Sequence, residues 1–76
     1  MKDSQKEAIR LDVIKRAEAV SDSIKLRHSE DDFIERVPEI LDMAIFRAGF
    51  KDSDKQQIID YCKPTVDNLL KWHNSR

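Results

Sequence analysis

Apolar residues recur along this chain at spacings of three and four, the period of a helix lying on a core, and most densely between Ser29 and Phe50. At about 100° per residue, Phe33, Ile34, Val37, Ile40, Leu41, Ala44, Ile45 and Ala48 share one arc of about 140°. Ser29, followed three residues later by Asp32, marks the start of this helix, and Glu30, Asp31 and Asp32 stand where the helix dipole favours negative charge. Gly49, the only glycine, marks its end by taking the left-handed conformation, with Phe50 folding back on Ile45. Pro38 interrupts the hydrogen-bond ladder and predicts a kink, because a break there would leave Val37 as a cap without a side-chain oxygen.

The same pattern places a helix on either side. Ser4 and Glu7 form a capping-box pair, and Ile9, Val13, Ala17, Val20 and Ile24 then line a narrow seam to about Arg27, widened by Ile14. Glu7 with Arg10 and Asp12 with Arg16 provide surface ion pairs. Leu11 and Leu26 point away from this seam and are the expected dimer contact. After the linker at Lys51 and Asp52, Ser53 with Gln56 repeats the capping pattern. Ile58, Ile59, Cys62, Val66, Leu69, Leu70 and His73 keep one phase across Pro64, which falls on the outer side and predicts a bent helix; Trp72 sits at the margin. The expected fold is therefore an all-α, three-helix bundle of one domain, dimeric, with helices near residues 4–27, 30–48 and 53–74 and the central helix most buried.

Composition adds limits. A monomeric core is marginal at 76 residues, which strengthens the expectation of a homodimer. Fourteen Lys and Arg against fifteen Asp and Glu give no general pull toward nucleic acid or anionic lipid. The charge is uneven, however: residues 29–54 carry three basic and eight acidic groups, while both flanking segments are mildly positive. Cys62 is alone, so no internal disulfide is available. No apolar run reaches the length of a membrane span and MKDSQKEAIR lacks a secretory core, which places the protein in the cytoplasm of its cell or host.

Candidate chemistry is sparse. One glycine at a helix end cannot build a phosphate loop, and Cys62 lies eleven residues, about three turns, from His73 on one helix. Glu35, Glu39 and Asp42 suggest a magnesium-dependent hydrolase, but Asp12, Glu18 and Asp60 occur singly and offer no matching cluster. His28 precedes several carboxylates without a second histidine at a ligand spacing, and those carboxylates are explained by the dipole. The expectation is a protein without catalytic residues, metal or cofactor. Lys71, Trp72, His73 and Arg76 could meet phosphates and a base, yet packing of Trp72 and His73 is the simpler use of them.

The outward face of the central helix remains. Asp31, Glu35, Glu39 and Asp42, with Met43 and Phe46 beside them, form either a solvated acidic face or a partner site with apolar anchors in a negative rim. The second reading predicts a small regulator, adaptor or inhibitor that occupies a partner protein's surface, with imitation of nucleic-acid phosphates as a special case. The runner-up is a dimeric helix-turn-helix regulator reading DNA with the third helix, SDKQQIIDY. Gln56 and Gln57 suit base edges, Lys55, Lys63 and Lys71 suit phosphates, and Asp54 and Asp60 oppose them. Residues Ile40 to Ala44 with Arg47 to Phe50 resemble the first helix of tetracycline-repressor-type regulators over eleven positions, which implies DNA binding. The spacing is shorter than in that family and the glycine turn before a recognition helix is missing, so the resemblance does not establish membership.

Overall fold

A helix of 25 residues is about 37 Å long, and the first helix sets the length of this molecule, 39 × 19 × 16 Å. The computed structural model describes residues 2–30 and 32–76. They form α1 (Asp3–Arg27), α2 (Phe33–Ala48) and α3 (Asp52–Asn74), with no strand among the described residues. Short connections reverse the chain twice. Asp12 on α1 meets Arg47 on α2, and Asp42 on α2 meets Lys55 on α3, as antiparallel neighbours do. Glu7 and Ser21 on α1 meet Tyr61 and His73 on α3, so the outer pair runs parallel.

Periodicity located the core. Ile9, Val13, Ala17 and Ile24 of α1, Phe33, Val37, Leu41, Ala44 and Ile45 of α2, and Ile58, Cys62 and Leu69 of α3 are buried together. Ile14, Val20, Ile40, Phe50, Ile59, Val66 and Leu70 pack against them. The central helix is the most densely buried, with five inward side chains over 16 residues where α1 has five over 25. α2 and α3 run unbroken through Pro38 and Pro64, both of which are exposed. Solvent can therefore reach the carbonyl that each proline leaves without its usual donor.

Four details depart from the sequence reading. None of Ser4, Ser29 and Ser53 caps a helix: the N-cap positions are Lys2, Asp32 and Lys51, and only Asp32 supplies a side-chain acceptor, taking the Ile34 N–H at 3.0 Å. The side chains needed to complete the outer boxes are engaged elsewhere, Glu7 with Arg10 and Tyr61, and Gln56 as a donor to Asp60 at 2.9 Å. α2 accordingly starts at Phe33 rather than near residue 30. Ile34 and Ala48 face coreward by phase yet are exposed, although Phe33 and Ile45 in the same two end turns are buried. Ser21, not Val20, is the fully buried residue at that level of α1.

The two turns use one conformation. Gly49 ends α2 at φ 75°, and its N–H bonds the Phe46 carbonyl at 3.1 Å. His28 ends α1 at φ 50°, with the Ser29 N–H reaching the Ile24 carbonyl at 3.1 Å. This 6→1 bond closes a Schellman-type stop without glycine, at a backbone cost of about 1 kcal/mol.

Candidate functional site

On α2, Glu35, Glu39, Asp42, Met43 and Phe46 occupy an arc of about 100° turned away from the core. Asp31, the sixth residue of the expected partner surface, lies outside the described residues. Phe46 is 77% exposed and Met43 51% exposed, so no neighbouring helix covers either. Glu35 and Glu39 make no hydrogen bond or ion pair with the described residues. Asp42 does: its carboxylate lies 3.4 Å from the Lys55 ammonium on α3. Asp32, at the start of the helix, is used as its cap, and the cation on this face comes from α3.

The face borders a groove of about 240 Å³ between α1 and α2, lined by Arg16, Val20, Arg36, Glu39, Ile40, Met43 and Arg47. Arg16 and Arg47 are drawn to Asp12, at 3.0 and 3.5 Å, so the basic side of the groove is partly neutralised from α1. Glu39 thus stands at the border between the arginine-lined groove and the outer face that it shares with Glu35 and Asp42. An apolar group with a positive rim fits the outer face, and an acidic one does not.

The two expected dimer contacts are also uncovered, Leu11 at 54% and Leu26 at 83% exposure. Both stand on the side of α1 that faces neither α2 nor α3. Lys63 and Lys71 lie exposed on α3, while Lys55 is half-buried and committed to Asp42.

Two polar contacts join α1 to α3, and neither is visible in the sequence pattern. At one, the Glu7 carboxylate accepts from Arg10 Nε at 2.9 Å, from Arg10 Nη2 and from the Tyr61 hydroxyl. These donors, Arg10 first and Tyr61 second, hold the Glu7 carboxyl down at about 2 from an ordinary 4.5. The same hydrogen bond raises Tyr61. At the other contact, Ser21 Oγ lies 2.6 Å from His73 Nδ1 and accepts from Arg76 Nη1 at 2.8 Å. Ser21 Oγ thus joins the His73 imidazole to the Arg76 guanidinium. Burial, with Lys25 and Arg76 adding repulsion, pushes His73 below its ordinary value. Its ring stacks on Phe33 at a centroid distance of 4.2 Å, and Arg76 lies over Trp72 at 4.7 Å and against Asp22 at 2.6 Å. His73 is thus engaged in packing, while Trp72 is 38% exposed with Arg76 over its ring.

Cys62 is buried, and desolvation raises its thiol above the ordinary value. No group of three or more potential metal ligands forms among the described residues, and no described helix is long and apolar enough to cross a membrane. No protein-family model, no curated protein and no solved structure matches this chain.

Proposed function

We propose that the chain is a small non-catalytic interaction module, a regulator, adaptor or inhibitor, that binds a partner protein through the outer face of α2 and works as a homodimer through α1. The observation that carries the reading is Phe46, exposed to 77% beside Met43 and among Glu35, Glu39 and Asp42. Full burial of such a side chain against a partner is worth about 1.5–3 kcal/mol. The carboxylates around it discourage indiscriminate apolar contacts and favour a partner whose apolar pocket has a basic rim. Imitation of nucleic-acid phosphates is a special case of this surface, to be recognised by competition between DNA and this chain for the partner.

Less supports DNA binding through α3. Of the side chains that would meet DNA, Gln56 is bonded to Asp60 and Lys55 to Asp42.

The test is capture by the tagged chain from native lysate, with and without nuclease, comparing wild type with Phe46→Asp. Wild type is expected to retain a stoichiometric protein after nuclease; the variant loses it while circular dichroism and melting stay unchanged. Equal capture by the variant defeats the α2 reading. Recovery of nucleic acid, lost with Lys63→Ala or Lys71→Ala, promotes the DNA-binding alternative.

A further inference from the structure

We infer that two copies pair through the outer face of α1 in one antiparallel register, fixed by Leu11, Lys15, Asp22 and Leu26. The inference rests on the homodimer part of the proposed function and assigns it a geometry. With Glu18, these residues lie within an arc of about 80° on α1, centred about 160° from the buried seam. All are exposed, and neither α2 nor α3 covers them.

Their order along the helix is self-complementary. Leu11 stands seven residues before Glu18 and Leu26 seven after Ala19; Lys15 stands three before and Asp22 three after the same two residues. A second α1 running antiparallel about this midpoint brings Leu11 level with Leu26 of the other copy and Lys15 level with its Asp22, each contact occurring twice. An isologous contact requires this reciprocity. A parallel pair in register would instead set lysine against lysine and aspartate against aspartate, so charge selects the antiparallel form.

Asp22 is already oriented for the role. Arg76 holds its Oδ1 at 2.6 Å while the side chain stays mostly exposed, leaving the other oxygen for a lysine. Ala19 at the midpoint allows close approach of the two backbones. One group opposes the pairing: Glu18, exposed on the flank of the arc, comes near its own copy across the axis. Its repulsion gives the register a further signature, because neutralising Glu18 strengthens the dimer. The outer face of α2 remains free in this arrangement, so each dimer presents two partner surfaces.

Analytical ultracentrifugation up to millimolar concentration tests this, with circular dichroism as the check on folding. Lys15→Asp and Asp22→Lys are each expected to weaken self-association about tenfold, since each turns two attractive pairs into repulsive ones. Mixed in equal amounts, the two variants are expected to recover the wild-type affinity as heterodimers, because the charge introduced by Lys15→Asp then meets the opposite one introduced by Asp22→Lys and the native pair survives on the other side. Glu18→Gln is expected to tighten the wild-type dimer. A wild type that stays monomeric throughout overturns both the register and the homodimer. A dimer indifferent to the charge reversals, or one that the mixture fails to restore, overturns the register and leaves the homodimer standing.

Discussion

The seam between α1 and α3 is pinned by a polar contact in each half of the bundle, and the two contacts differ in almost everything except the helices they join. Glu7, Arg10 and Tyr61 meet at the surface, where water can replace any partner that leaves. Ser21 and His73 meet behind Phe33, with Ser21 fully buried, where nothing replaces a lost partner. The surface contact has charge-assisted bonds and a strongly lowered carboxyl, yet its strength is largely returned by solvation of the separated groups. The buried contact joins the Ser21 hydroxyl to the His73 ring, with Arg76 donating to the same oxygen, and carries more of the stability, because removing the ring leaves a cavity against Phe33. A strongly shifted carboxyl is therefore a poor guide to which contact holds the helices together.

The largest effect that separates them is expected from His73→Ala. Losing the stack on Phe33 and the hydrogen bond with Ser21 should cost about 3 kcal/mol, measured by urea unfolding. A loss no greater than that of Tyr61→Phe would break the comparison. Next comes pH. His73 titrates below its ordinary 6.5 in the folded chain, so the unfolded chain takes up the proton first. The stability it supports is complete above pH 6.5 and falls as the pH drops through the lowered value. His73→Phe, which keeps a ring against Phe33, should flatten that part of the stability profile.

Glu7 acts with the same sign in a lower window. Its contribution is complete above the ordinary 4.5 and is lost as pH falls to about 2, because the unfolded carboxylate protonates first. Glu7→Gln should remove this acid-side slope and leave the one due to His73. Molar salt should shrink the Glu7 slope far more than the other, since exposed charges are screened and the buried pair is not. The smallest change is expected from Tyr61→Phe: no measurable loss of melting temperature, with the Glu7 carboxyl seen by NMR titration to rise only partway, since Arg10 is the larger cause of its depression.

Local rules made much of this molecule legible before its folding was known. Helical phase identified Val13, Phe33, Val37, Leu41, Ile58 and Cys62 as core residues, turned Pro64 outward and carried the stripe of α3 across it. The lone glycine located the end of α2. Phase also directed Glu35, Glu39, Asp42, Met43 and Phe46 away from the core, so the candidate face was readable as a face. Its bearing on function was not, because a sequence does not distinguish an exposed phenylalanine awaiting a partner from one covered by a neighbouring helix.

Three serines followed by Glu, Asp or Gln looked like three caps, and none of them is one: Asp32 caps α2, Gln56 turns to Asp60 within α3, and only at Ser4 is the competing contact a tertiary one. A capping box depends on a side chain that is free to fold back, and Glu7 was drawn to Tyr61, 54 residues away. Ser21 has no part in the apolar seam that the period defines, and it is His73, 52 residues later, that gives it a partner in the interior. Ile34 and Ala48 had the right direction yet are exposed, while Phe33 and Ile45 in the same end turns of α2 are buried. The period of the chain determined which way each side chain points, because that follows from backbone geometry alone. How far each helix extends past its neighbours, and which distant polar groups meet, depended on the packing of the three helices and was decided only in the folded molecule.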